Sequence, residues 1–408
     1  MKTITTLSLI GLLALNLNAS TVEERLKTLE DQNELLTEEI LNSKSGGFTT
    51  VQEGKSHHGL GEAASKVYYS ESPLSIGGYG EMYWAKTEGK RSFADVYRFI
   101  PYFGYKFSDS IILNTELEFE HGGSEVAIEF MYLDFLFSNT YNLRVGNLLV
   151  PMGITNLRHE PTLFNTVQRP DIEKLLLPST WHENGVLVYG AFEDIGVAYT
   201  VGMINALNLN SEHTTDLTAG KRNQWIRKGR QGSNEKAPFK PAFVGRVDYK
   251  GVNGLIVGVS EYYADASNIK TGDISGTSVN IFDVHTVYEV GGFNLKALYT
   301  QTNVSSAEKL GEDTITKASG YYVNSSYDVS SMIGVNMKLP IFAQYERYNP
   351  IEETVSGKGE FKSITNINVG FNLYPTNQVV LKADYQIKDD KNRDKKENML
   401  SFGLGFIF

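Results

Sequence analysis

The sequence predicts an all-β chain: a 16-stranded antiparallel transmembrane β-barrel preceded by a short N-terminal periplasmic α-helical coiled coil. Three observations lead there. From Ser75 to Phe408 hydrophobicity alternates with period two, in runs of about 10 to 14 residues where an ordinary sheet uses about five or six. The connections between runs alternate between tight turns and mostly long loops, the asymmetry of a barrel set in a membrane. No apolar run of about 20 residues occurs after the first 20, so helical spans are excluded while alternating strands are not.

Composition narrows the class further. The 408 residues carry 38 Lys and Arg against 48 Asp and Glu, a formal charge of −10, which argues against a nucleic-acid partner. There is no cysteine, so disulfides, CxxC redox chemistry and Cys-ligated zinc are excluded. Seven scattered histidines give no metal-ligand spacing, and neither a metal nor a cofactor is expected. Aromatic residues make up 12% of the chain, led by 23 Tyr and 21 Phe.

Residues 1–19 read as a signal peptide. Lys2 supplies the positive start, Leu7 to Leu17 is an apolar stretch too short to span a bilayer, and Ala19 precedes the expected cleavage point. With no cysteine after it, a lipoprotein is excluded, and export to a Gram-negative envelope is expected. Residues 20–44 contain Val22, Leu26, Leu29, Asn33, Leu36 and Ile40 at heptad spacing. A lone Asn at a seam position fixes register and oligomer state in a coiled coil. About three heptads are marginal alone, so either an oligomer-linked coil or a single periplasmic helix fits. Residues 45–74, rich in Gly and Ser, read as a linker in which His57 and His58 are solvated.

The barrel occupies 75–408. In Val379 to Lys388, Val379, Leu381, Ala383, Tyr385 and Ile387 fall on one face, opposite Lys382, Asp384, Gln386 and Lys388. Ile111 to Glu120, Asp95 to Phe107 and Asn280 to Val290 repeat the pattern. Strands are expected near 75–86, 94–107, 110–121, 124–137, 140–150, 183–192, 194–205, 241–250, 253–264, 279–290, 292–303, 317–328, 331–346, 361–373, 376–388 and 398–408. Every second connection is short, among them Ser108-Asp109, Ser138-Asn139, Gly251-Val252 and Val329-Ser330. Most of the rest are long, as at 151–182, 206–240, 265–278, 304–316, 347–360 and 389–397. An even strand count returns both ends to the short-turn, periplasmic side. The last strand, Ser401-Phe-Gly-Leu-Gly-Phe-Ile-Phe408, finishes in Phe and so resembles the terminal signal of outer-membrane barrels that the barrel-assembly machinery reads.

Ser75-Ile-Gly-Gly-Tyr-Gly-Glu-Met-Tyr83, Glu116-Leu-Glu-Phe-Glu-His121 and the stretch from Arg144 to Tyr189 resemble the porin superfamily around the phosphate-selective porins O and P. The resemblance covers most of 75–408 and is strongest in its first half. It implies a trimeric, 16-stranded diffusion pore whose third extracellular loop folds inward. The N-terminal heptads are similar to those of the coiled-coil-bearing porins of that group.

Alternation assigns the lumen. Inward bases are Arg98, Lys106, Arg144, Arg246, Lys250, Lys296, Lys382 and Lys388; inward acids are Glu81, Glu116, Glu118, Glu120, Glu129, Asp134, Asp248, Asp283, Glu289 and Asp384. Hairpin geometry sets Arg98 near Glu118 and Glu120, and Asp134 opposite Arg144. Such pairs either stabilise the wall or create a field that sorts solutes. Loop 151–182 is the expected constriction, with Arg158, Arg169 and Lys174 for solute contact beside Glu160 and Asp171. The basic loop 206–240 suits an anion-collecting vestibule, or outer-membrane lipid and lipopolysaccharide. Asp283 and His285 share a face, but there is no GxSxG, HExxH or P-loop, and an enzyme is not expected. The sequence therefore reads as an outer-membrane porin, a homotrimer passing ions and small hydrophilic solutes passively. An anion- or phosphate-specific channel is the alternative, and a structural or adhesive barrel the third reading.

Overall fold

The computed structural model describes residues 49–208, 224–232, 239–265, 276–310, 314–358, 361–392 and 397–408, with Lys27, Gln32 and Glu312 besides. The chain divides into two compact units, Met1–Thr49 and Thr50–Phe408. In the first, Lys27 and Gln32 are helical and exposed. The expected signal peptide and most of the expected coiled coil lie outside the described residues.

The second unit is a closed antiparallel sheet. Its strands are β1 (Leu74–Thr87), β2 (Phe93–Ser108), β3 (Ile111–Glu120), β4 (Glu125–Leu136), β5 (Asn142–Leu149), β6 (His182–Phe192), β7 (Val197–Asn205), β8 (Pro241–Tyr249) and β9 (Leu255–Asp265). They continue as β10 (Ser278–Val290), β11 (Phe293–Ser305), β12 (Ile315–Asp328), β13 (Pro340–Thr354), β14 (Gly357–Lys358), β15 (Ile364–Thr376), β16 (Val379–Asp390) and β17 (Glu397–Ile407). β14 is a two-residue return that pairs only with the end of β13. Sixteen strands therefore form the wall, each beside its sequence neighbour, and β1 closes on β17 with Tyr79 opposite Ile407. Closure gives every wall strand a neighbour on both sides.

The pleat separates two chemistries. Lys382 is 5% exposed and Leu381 42%, so one residue step moves a side chain from lumen to outer surface. Phe99, Phe103, Val186, Val259, Tyr321, Phe371 and Phe402 stand on that outer surface. Trp84 faces Phe402 across the seam with ring centroids 5.8 Å apart. Among the described residues no helix is long and apolar enough to cross a membrane.

Two expectations need correction. The strand expected at 331–346 begins at Pro340, because Ser330–Ile333 makes one helical turn ended by Gly334 at φ 70°. That region alternates polar and apolar residues by chance, and the left-handed glycine is what ends the turn. The linker reading fails for residues 50–73, which pack inside the barrel: Leu60, Ala63, Ala64 and Val67 are buried there. Their small side chains are a fit to a narrow space. A Cβ at Gly104 of β2 would collide with Val67, and one at Gly61 with the Glu160 carboxylate. The segment is tied to the wall by Asn114, which donates to the Ala64 carbonyl at 2.9 Å, and by Lys66, which donates to the Ile76 carbonyl at 2.8 Å.

Candidate functional site in the barrel lumen

The loop between β5 and β6, residues 150–181, lies within the barrel, where hydrogen bonds hold it around the interior. At its start the Gly153 N–H donates to Asp283 at 3.0 Å, and Arg246 donates to the Gly153 carbonyl. Glu173 then closes the first turn. It accepts from the Ile154 and Thr155 N–H groups at 2.9 and 2.6 Å, from the Thr155 hydroxyl at 2.9 Å, and from Tyr322 of β12 at 2.6 Å. Further along, Lys382 donates to the carbonyls of Phe164 and Thr166 at 2.7 and 3.0 Å, and the Val167 N–H donates to Asp384 at 2.7 Å. These buried backbone groups find charged partners, which helps to allow irregular chain inside a barrel.

The charges expected in this loop have unequal fates. Glu160 accepts from the Ala63 and Ala64 N–H groups at 3.1 and 3.0 Å, so it fastens the inner segment. Burial raises its pKa to about 7 against the pull of those two bonds. Asp171 is gripped by Lys174 at 2.8 Å and Lys388 at 2.9 Å and accepts from Tyr348 and Asn366. Burial would raise its pKa, yet the two lysines outweigh that and hold it well below the ordinary carboxylate range. Arg169 donates to the His159 carbonyl at 2.9 Å and lies 3.8 Å from Glu81. Burial lowers the His159 pKa to about 4.

The wall residues pair across strands. Arg144 makes a bidentate contact to Asp134, both bonds 2.8 Å, with its guanidinium 4.2 Å from the Tyr132 ring centroid. Arg98 stands 2.9 Å from Glu120, 3.6 Å from Glu81 and 3.9 Å from Glu118. Lys106 donates to the Ser70 carbonyl at 2.5 Å, holding the inner segment. Arg246 pairs with Asp248 at 2.8 Å, and His285 sits between Asp248 and Asp283 at 2.9 and 2.6 Å. The expectation of a solvated His57 is overturned: it stacks on Tyr68 at 3.5 Å and lies 3.1 Å from the Tyr189 hydroxyl.

Among the described residues, the spaces between these groups include three of note. A cavity of about 600 Å³ near the short turns is lined by Arg158, Glu289, Lys296, Asp328, Lys338 and Asn377, among others. It neighbours a crevice of about 20 Å³ lined by Arg158, Asn165, Lys296, Asn324 and Gln344. Arg158 and Lys296 line both spaces. A separate cavity of about 80 Å³ gathers Arg98, Arg169, Lys174 and Arg227 with only Glu81 among the acids. Arg227, expected only among the bases of the vestibule loop 206–240 and not at the constriction, enters because Trp225 and Ile226 beside it are buried, with Trp225 donating to the Pro350 carbonyl at 2.8 Å. Two apolar residues within a basic run were the available signal.

No family model matches the chain. A protein of Aquifex aeolicus (strain VF5), described as an uncharacterized protein, is 35% identical over 370 residues, which cover 84% of this chain and 82% of that protein. Among solved structures, the anion-selective porin from Comamonas acidovorans superposes with a TM-score of 0.55 at 12% identity, covering 82% of this chain and 99% of that one. OmpF of Salmonella typhi in complex with daunomycin gives 0.51 at 12% identity over 82% and 97%. A loop-deletion form of OmpT, an outer membrane protein of Vibrio cholerae, gives 0.51 at 14% identity over 82% and 99%. The chain thus belongs to the family of the Aquifex aeolicus protein, and its fold is the sixteen-stranded barrel found in porins.

Proposed function

We propose that the protein is an outer-membrane porin, a water-filled channel for passive diffusion of ions and small hydrophilic solutes. The observation that carries this reading is the pairing of an apolar outer surface with a charged interior that retains a cavity of about 600 Å³. An apolar belt suits lipid, and a polar lumen of this kind has no use in a dry core. Passage runs between loop 150–181 and the wall of β11 to β13, past Arg158 and Lys296. Selectivity follows from those two cations together with Arg169 and Lys174. The assembly is a homotrimer with the N-terminal heptads in the periplasm, the outer loops meet lipopolysaccharide, and Phe408 addresses the barrel-assembly machinery. The likeness of 75–408 to the phosphate-selective porins O and P supports this placement.

An anion-preferring channel is the sharper form of the reading. It is favoured by the four cations around the 80 Å³ cavity and by the fold shared with a porin titled anion-selective. Planar-bilayer conductance across a KCl gradient tests both forms. Anion-preferring reversal potentials that move toward cations in Arg158→Ala, and less in Arg169→Ala and Lys174→Ala, are the expected outcome. A cation-preferring channel unaffected by Arg158→Ala removes the anion reading and keeps the porin. A folded barrel without conductance sinks transport and leaves adhesion or envelope structure.

A further inference from the structure

We infer that Glu116, Glu129 and His159, where the long loop meets the wall of β3 and β4, form a binding site for a divalent first-row transition cation such as zinc. One ligand atom from each residue lies within 4.8 Å of the others, and all three side chains are buried. The His159 ring lies with Nε2 3.1 Å from Glu116 and 3.8 Å from Glu129.

The chemistry of these contacts is incomplete as it stands. His159 Nδ1 is 2.7 Å from the Asn156 carbonyl, which can only accept, so the proton resides on Nδ1. In the neutral ring Nε2 then carries a lone pair aimed at two carboxylates. Acceptors face acceptors, and something positive belongs between them. Independently, Glu129 is 1% exposed and neither of its oxygens receives a hydrogen bond from an N–H or hydroxyl donor; the Glu116 carboxylate beside it is a second acceptor whose Oε2 likewise has no such donor. Buried carboxylate oxygens left so are costly. A divalent cation balances two carboxylates and accepts the imidazole lone pair. An Nδ1–H held by a backbone carbonyl is how a metal-ligating histidine is usually oriented.

The backbone is arranged to present the second carboxylate. Glu116 pairs with Phe130 while the next residue, Leu117, pairs with Ile128, so Glu129 is the extra residue of a β-bulge. The bulge turns Glu129 inward beside the inward Phe130, against strict alternation; bulges commonly re-aim a side chain in this way. A mixed set of one nitrogen and two carboxylates suits zinc, iron or manganese better than calcium, which takes six to eight oxygens. The cation would fasten the loop at His159, the residue next to Arg158, to the wall. Because the cluster is sealed, it loads as the barrel folds.

The test is refolding of the full-length protein from denaturant with zinc, followed by removal of free metal and elemental analysis. The expected result is a single zinc retained per chain, with affinity at least ~10-fold lower in Glu129→Gln and in His159→Gln. Cobalt in place of zinc is expected to give the visible absorption of a nitrogen- and oxygen-ligated site in the unaltered protein, which decides the matter should either variant fail to fold. Folded barrel that holds no more zinc than the Glu129→Gln variant, or shows no cobalt absorption, overturns the site and leaves a proton shared by Glu116 and Glu129. Zinc retained equally by both variants also overturns it, since the metal would then be bound elsewhere. Metal content is read without conductance, so the site and the channel stand or fall separately.

Discussion

The two halves of the lumen are furnished differently. From β1 to β6 the inner wall carries Glu81, Arg98, Glu116, Glu129, Asp134, Arg144 and Glu183, and the inner segment and long loop lie against it. From β11 to β17 the buried polar residues are mostly neutral: Thr300, Thr302, Asn324, Ser326, Gln344, Asn366, Asn368, Asn372 and Ser401. In the first half, charges are consumed in pairs and in fastening chain. In the second, amides and hydroxyls face the cavity, with Lys296 among them. Inward charge and pore charge are therefore different quantities, and a count of the first overstates the second.

The largest difference should appear on breaking one charge pair in each half's idiom. Asp134→Ala leaves Arg144 buried without its bidentate partner, and a loss of about 3–5 kcal/mol is expected in a urea titration of the heat-modifiable barrel. Asn368→Leu, on the amide side, is expected to cost no more than about 1 kcal/mol, since the Oδ1 of Asn368 has no partner to strand. Equal losses would dissolve the contrast.

A more local effect, read on the loop and not on the whole barrel, is expected where the long loop joins the two halves. Glu173→Ala removes the acceptor of two backbone N–H groups and two hydroxyls, each worth about 1–3 kcal/mol when left unsatisfied in a buried site. Limited proteolysis should then cut within 150–181 while the strands stay intact. Unchanged resistance would mean that Lys382, Asp384 and Asp171 hold the loop without it.

The smallest effect is one of pH. Burial first, then neighbouring positive charge, lowers the pKa of His57 well below 6.5 and that of His58 to about 4. Because the folded values lie below the ordinary one, the docked segment gains stability above about pH 6.5 and loses it as pH falls toward 4. Deuterium uptake of 51–73, corrected for intrinsic exchange, should rise over that window, and His58→Gln should reduce the rise.

Much of this architecture was legible in the sequence, and the exceptions share a cause. Period two reports which face a residue takes, so Lys382 and Leu381 could be assigned from local pattern alone. Partnership is not local. Glu160 answers to Ala63 and Ala64 and Asp171 to Lys388, contacts separated by 97, 96 and 217 positions. Nothing in the loop's own sequence tells that Arg158 lines the larger cavity while Arg169 bonds the His159 carbonyl. Residues 50–73 misled for another reason: small residues serve a solvated linker and a tight interior equally well. The bulge at Glu129 was visible only as a break in parity, since Glu129 and Asp134 both point inward although five positions apart.

The seam has a consequence for how the molecule comes into being. Gly78 and Phe408 exchange backbone hydrogen bonds at 3.0 and 2.9 Å, so the first strand is completed by the last residue. Without β17, β1 and β16 both present open edges able to recruit any extended chain. Loss of the eleven residues of β17, 397–407, would leave a sticky, gaping sheet in place of a slightly smaller cylinder. The wall is thus inert toward other extended chains only as a whole, since removing the closing strand uncovers both of its neighbours at once.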